Sequence, residues 1–212
     1  MNTELTEIAV VLDRSGSMEA MRLEAQNGFN HFLESQKKLP GDVRLTLVLF
    51  DHEYLIEHNG VPVAEICPLN ERTYVPRGTT ALLDAVGRTI NTIGERLAKT
   101  PESDRPAKVL IVILTDGLEN ASQEFKRPQI LEMIKRQREV YGWEFLFLGA
   151  NQDAIQAGSA IGIAPACSVT FDEAPGGMAA AFTAIACASA AYRAGEEDYA
   201  DHLKKAAKKG KA

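Results

Sequence analysis

The chain has 212 residues and an ordinary composition, 45% hydrophobic, 25% charged and 7% aromatic, which suits one medium domain with a substantial core. Its net charge of -6 argues against a general nucleic-acid binder. Widely spaced Cys67, Cys167 and Cys187, with scattered His31, His52, His58 and His202, argue against a disulfide framework or zinc motif and fit a reducing compartment.

In chain order, "EIAVVL" is a continuous apolar run beginning at about Glu7, the pattern of a strand buried on both sheet faces. No charged-then-apolar leader precedes it, and no apolar run reaches the roughly 18 residues of a membrane span, so a cytoplasmic protein that engages no membrane is expected. From Met18 to about Lys38, Met21, Ala25, Phe29, Phe32 and Leu33 recur at helical spacing until Pro40-Gly41. "VRLTLVLF" (Val43 to Phe50) reads as a second strand. "EYLIEHNGVPVAEI" reads as two extended stretches around Asn59-Gly60, a type I′ hairpin dipeptide, with Pro62 suited to a sheet edge. Leu82, Leu83, Val86, Ile90, Ile93 and Leu97 mark a helix from about Thr80 to Ala98, followed by the strand "VLIVIL" (Val109 to Leu114). A helix from Pro128 to Tyr141, the strand "WEFLFLG", a short helix near Asp153 to Ile161, the strand "CSVTF" and an alanine-rich helix from Gly177 to Ala194 complete the pattern, with Gly195 placed to end it.

This alternation predicts an α/β fold, a mostly parallel sheet between helix layers with one antiparallel edge strand. The expected organisation is one domain over residues 1–195. A tail over 196–212 carries Lys204, Lys205, Lys208, Lys209 and Lys211 and reads as a solvated, frayed helix end or a docking segment. Such sheets bind ligands where strands end at their carboxyl edge, near a reversal of strand order. "DRSGS", "TDG" and "GANQD" all fall at such ends.

The strand ends and the loop before the second helix supply Asp13, Ser15, Ser17, Thr80 and Asp116: two carboxylates and three hydroxyls, with no sulfur or imidazole. An all-oxygen set with two charges suits a hard divalent cation, and waters would help fill the roughly six positions Mg²⁺ requires. Alternation points Ser15 and Ser17 to one side, Gly16 permits a close bend, and Ser17 is also suited to start the first helix. A remaining coordination position is open to an oxygen from a partner.

"DRSGS" matches the D-x-S-x-S signature of the von Willebrand factor type A (VWA) domain. "RGTTALLDA" and "VLIVILTDG" resemble its second and third metal loops. The resemblance covers roughly residues 5 to 170. It implies a three-layer αβα Rossmann-like fold with an intact metal ion-dependent adhesion site (MIDAS) holding Mg²⁺ or Mn²⁺. Ser15, Ser17 and Thr80 would contact the metal, with Thr79 the alternative to Thr80, and Asp13 and Asp116 would often act through water. The last position would receive a carboxylate from a protein partner. The chain most resembles the compact, intracellular bacterial and phage members.

Around this set, Glu119 and Asn120 read as loop residues or as contacts to a partner or a metal-bound water. Asn151 and Asp153 read as helix caps, and Asp51 as a turn residue. Arg14 and Arg77 read as a rim that selects an acidic partner, or as solvated surface. Trp143 and the alanine-rich helix read as packing. The expected function is a metal-dependent protein-interaction module rather than an enzyme. The alternatives are a Mg²⁺-dependent phosphohydrolase or nucleotide binder, for which no G-x-x-x-x-G-K-[ST] loop, G-x-G-x-x-G loop or D-x-D pair is present, and a scaffold within a larger ATPase-linked or phage assembly.

Overall fold

The computed structural model of the protein describes residues 1–150 and 153–209. Its six strands are β1 (Asn2–Asp13), β2 (Asp42–Phe50), β3 (Tyr54–Pro62), β4 (Pro106–Thr115), β5 (Glu144–Ala150) and β6 (Ser168–Phe171), in the spatial order β3-β2-β1-β4-β5-β6. All pairings are parallel except β2 with β3. The helices are α1 (Arg22–Lys37), α2 (Leu82–Lys99), α3 (Arg127–Tyr141), α4 (Ala154–Ala160), α5 (Gly177–Ala194) and α6 (Tyr199–Lys209). The mostly parallel sheet, single antiparallel edge and flanking helices are those expected from the alternating pattern.

The central strands explain their own position. Ile8 to Leu12 of β1 and Leu110 to Leu114 of β4 are completely buried, as residues covered on both faces must be. The chain runs outward from β1 to β2 and β3, then returns through α2 to β4 on the other side of β1. The strand order therefore reverses between β1 and β4, and the register sets Leu12 opposite Leu114 at that point.

Several boundaries differ from the sequence reading. β1 begins at Asn2 instead of Glu7, because the polar residues Asn2 to Glu4 prolong the strand past the core, where apolar patterning gives no signal. The first helical segment opens with a 3₁₀ turn (Gly16–Met21). The second helix starts at Leu82 rather than Thr80.

The hairpin expectation is wrong. β2 and β3 turn at Asp51 to Glu53, where the Glu53 N–H donates to Asp51 Oδ1 at 2.6 Å. Asn59-Gly60 lies inside β3, at a bulge where Leu45 pairs with Val61 but Leu47 with His58. Gly60 has φ +64°, and a side chain there would run into the Arg96 guanidinium. The bulge thus admits Arg96 to a buried polar cluster. Arg96 Nη2 donates to Glu7 Oε1 at 2.7 Å, Thr46 Oγ1 donates to the same oxygen at 2.7 Å, and Arg96 Nε donates to Asn59 Oδ1 at 3.0 Å. Glu7 is fully buried on β1, and its Oε2 accepts no hydrogen bond among the described residues.

The lysine-rich end also departs from the expected tail. Over 199–209 it is α6, which packs on α5 and β6 with Leu203 fully buried and Tyr199 and Ala207 buried. Its lysines left the apolar spacing Tyr199, Leu203, Ala207 easy to overlook. Tyr199 stacks edge-on against Tyr192 and donates to Glu144 Oε2 at 2.8 Å. No described helix is long and apolar enough to cross a membrane.

Small residues bring α1 and α5 close. A side chain on Gly28 would collide with the Phe182 ring, which also meets Phe29 edge-on with centroids 6.4 Å apart. Gly28→Ala should therefore destabilise the fold by about 1–3 kcal/mol through overpacking, despite the better helix propensity of alanine. Urea unfolding checks this; an unchanged or raised midpoint would contradict it.

Candidate metal centre

The candidate residues gather at the carboxyl edge, at the reversal between β1 and β4. Asp13 ends β1 and is fully buried. Its Oδ1 accepts the Ser15 N–H at 2.6 Å, and its Oδ2 accepts the Thr115 hydroxyl at 2.5 Å. The Asp13 backbone carbonyl accepts the hydroxyl of buried Tyr74 at 2.7 Å. Both carboxylate oxygens are thus held by fixed donors, and the carboxylate orients the loop.

That loop presents Ser15 and Ser17 with their Oγ atoms 3.1 Å apart. Ser17 Oγ donates to Asp116 Oδ1 at 2.8 Å, joining the first and third loops. Asp116 Oδ2 is buried and accepts no hydrogen bond among the described residues. Such an oxygen is costly unless something satisfies it. A Cβ added at Gly117 would lie 3.2 Å from Thr80 Oγ1 and 3.8 Å from Ser17 Oγ, so these hydroxyls border one small space beside Asp116. Of the two threonines left open by the sequence, Thr80 is buried and Thr79 exposed. Neither Ser17 nor Thr80 caps a helix: Ser17 lies within the 3₁₀ turn, and Ala81 is the residue before α2.

The loops lock one another in place. Gly16 N–H donates to the Gly78 carbonyl at 3.1 Å. Asn120 Oδ1 accepts the Thr80 N–H at 3.0 Å, and Glu119 Oε2 accepts the Leu83 N–H at 2.9 Å. The Ser122 hydroxyl accepts the Asp84 N–H at 3.1 Å, while the Asp84 carboxylate receives the N–H groups of Gln123, Glu124 and Phe125 at 2.8–3.0 Å. Glu119 and Asn120 therefore join the third loop to the second, and free N–H groups at the start of α2 are satisfied across that junction. The contribution of Asp84 was missed from sequence, although the position is legible as an acidic residue in the first turn of α2. Thr115 was missed too, hidden by its place at the end of an apolar strand.

Asp51 does more than turn the chain. It is fully buried, with Arg14 Nε 3.1 Å and Arg77 Nε 3.0 Å from its Oδ2. Arg77 also pairs with Glu53. Arg14 is buried, which removes it from the solvated-surface reading, and both guanidinium groups face Asp51. Asp153 accepts the Gln156 N–H at 3.0 Å and caps α4, as expected; Asn151 lies outside the described residues. Trp143 is buried just before β5.

The site holds two carboxyl groups whose charged forms burial disfavours. Burial pushes the Asp13 carboxyl up to about 6 from 3.8, against the opposing hydrogen bonds from Thr115 and Ser15. Burial also raises Asp116, opposed by its Ser17 hydrogen bond and reinforced by the Glu173 charge. Burial and the Asp13 and Asp116 charges hold the Tyr74 hydroxyl well above its usual range. Concentrated negative charge under hydroxyl oxygens, with an unsatisfied carboxylate oxygen, is an environment that a hard cation relieves.

Because the folded state binds the Asp13 proton more tightly than the unfolded chain, Asp13 should reduce metal-free stability as pH rises from about 4 to 6. The loss approaches about 3 kcal/mol. Asp13→Asn, neutral throughout, should lack this contribution. The wild-type minus variant difference in unfolding free energy, measured in EDTA from pH 4 to 7, checks the sign.

No protein-family model matches the chain, and no curated protein matches it. Solved structures do. The vWF domain of the type V pili tip protein Mfa5 from Porphyromonas gingivalis aligns with TM-score 0.63 at 14% identity, covering 85% of this chain and 93% of that one. Proximal thread matrix protein 1 (PTMP1) from the mussel byssus aligns with TM-score 0.59 at 13% identity, over 88% of this chain and 46% of that one. A second structure of the mussel protein, with a zinc-occupied MIDAS motif, aligns with TM-score 0.53 at 16% identity, over 79% of this chain and 41% of that one. The chain therefore spans less than half of PTMP1. At these identities the likeness is one of fold, and the chain has the Rossmann-like αβα fold of von Willebrand factor type A domains.

Proposed function

We propose that the protein is a metal-dependent protein-interaction module. Asp13, Ser15, Ser17, Thr80 and Asp116 would hold Mg²⁺, or Mn²⁺, and a partner protein would supply a carboxylate to complete the shell. The observation that carries this reading is the buried, unsatisfied Oδ2 of Asp116, whose other oxygen accepts the Ser17 hydroxyl, next to Gly117, which the Ser17 and Thr80 hydroxyls approach. The zinc-occupied MIDAS of the mussel protein, which shares the fold, supports a divalent cation in this position. Ser15, Ser17 and Thr80 would offer hydroxyl oxygens. Asp116 would provide the charged oxygen, and Asp13 would orient the first loop. The bound ion would supply a positive charge able to attract an acidic side chain where little water competes.

A binding role is favoured over a hydrolytic one by the engagement of Asp13. With each oxygen occupied by a fixed donor, it is poorly placed to act as a nucleophile or general base. Affinity capture on immobilised protein tests the reading. A partner should be retained in Mg²⁺, released by EDTA and absent from an Asp116→Ala column. Retention indifferent to chelation and substitution would overturn it.

Protons and metal would compete for the carboxylates. Divalent-cation affinity should rise as pH increases through about 6, the region of the raised Asp13 value, and then level off. Mg²⁺ titrations by calorimetry at pH 5 and 7.5 check this; tighter binding at pH 5 would contradict it.

A further inference from the structure

At the opposite end of the strands, between α2 and α3, lies a hollow of about 480 Å³, within the size range of small-molecule sites. Ile90, Leu97, Val109 and Trp143 contribute an apolar lining. Tyr141 stands at the mouth with 55% of its surface exposed.

Two features set this hollow apart from an ordinary gap between helices. The first is Gly94, in the middle of α2, where glycine lowers helix stability relative to alanine. Gly87 in the same helix has a packing reason, because a Cβ there would strike the Phe125 ring at 2.8 Å. Gly94 has no such reason: a Cβ would meet nothing within 4 Å. The missing side chain enlarges the hollow.

The second feature is charge. Arg136 on α3 lines the hollow and forms no hydrogen bond or ion pair among the described residues. Arg105 also lines it, with its guanidinium donating to the Thr100 and Ala98 carbonyls at 2.7 and 3.2 Å. Glu95 is the one carboxylate among the lining residues. Two guanidinium groups against one carboxylate leave the lining net positive, and Arg136 is free to pair with an incoming anion.

We propose that this hollow binds a small amphipathic carboxylate, its hydrocarbon body against Trp143 in the space left by Gly94 and its charged end at Arg136. The site is separate from the candidate metal centre and does not depend on metal.

Trp143 is the sole tryptophan, so its fluorescence reports directly on the lining. Octanoate titrated into the full chain should give a saturable change in emission. Gly94→Leu, which fills the space, should weaken octanoate binding by about tenfold or more, and Arg136→Gln by about fivefold. Neutral 1-octanol should bind Arg136→Gln as it binds the wild type, because only the charged end has lost its partner. Absence of a saturable signal, wild-type octanoate affinity in folded Gly94→Leu, or equal loss of octanoate and octanol in Arg136→Gln would each overturn the proposal. Circular dichroism verifies folding, and exposed Arg136 carries the test if Gly94→Leu does not fold.

Discussion

Asp116→Ala should weaken Mg²⁺ binding on the order of 100-fold or more while leaving the domain folded. The substitution removes a buried, unsatisfied carboxylate oxygen and the acceptor of the Ser17 hydroxyl. It also removes a carboxylate whose ionised form is disfavoured by burial. In EDTA the variant should therefore melt no lower than the wild type. Millimolar Mg²⁺ should raise the wild-type melting temperature and leave the variant where it was. Asp13→Ala should lose metal binding too, but at a cost in metal-free stability, since the Ser15 N–H and Thr115 hydroxyl would lose their acceptors. Calorimetry with Mg²⁺ and melting curves in EDTA separate the two variants. Wild-type Mg²⁺ affinity in Asp116→Ala would remove the basis of the site.

The second large effect lies at the Glu7–Arg96 pair. Arg96→Met retains much of the aliphatic bulk but leaves a fully buried carboxylate without its cation, a class of change that costs about 3–5 kcal/mol at neutral pH. Burial already raises the Glu7 carboxyl despite the Arg96 charge, and loss of that charge should raise it further. A raised carboxyl means the fold binds the proton more tightly than the unfolded chain. The variant's extra instability should therefore grow as pH rises above about 4.5 and shrink below it. Glu7→Gln in the Arg96→Met background should recover much of the loss at pH 7. Urea unfolding at pH 4.5 and 7 tests both statements, and a pH-independent deficit would show that lost packing dominates.

The fold was legible where patterns were simple. Continuous apolar runs located the buried strands, and the pattern of short strands separated by helices revealed the parallel sheet. Elsewhere local signals competed with contacts distant in sequence. Asn59-Gly60 has the chemistry of a two-residue turn, yet its conformation serves Arg96, which is 36 residues beyond Gly60 in sequence and meets it only in the fold. The lysines of α6 concealed an apolar face because Tyr199, Leu203 and Ala207 recur only once per turn. Asp13, Ser15, Ser17 and Asp116 stood out because they follow strands at the carboxyl edge, and Thr80 because the loop before the second helix resembles a metal loop of the VWA domain. Their supports did not stand out. Thr115 ends an apolar run, Asp84 lies within an amphipathic helix, and Asp51 resembles any turn aspartate, so their roles emerge only from the partners the fold supplies.

The bulge in β3 has a further consequence for the behaviour of the protein in concentrated solution. An open sheet ends in unpaired backbone groups, and a long flat margin invites another chain to add itself. Here one margin is kinked at Gly60 and finishes at Pro62, which has no N–H to offer, while the other margin, β6, is only four residues long. The same irregularity that lets Arg96 reach Glu7 thus discourages the sheet from growing past its own six strands into a chain of molecules.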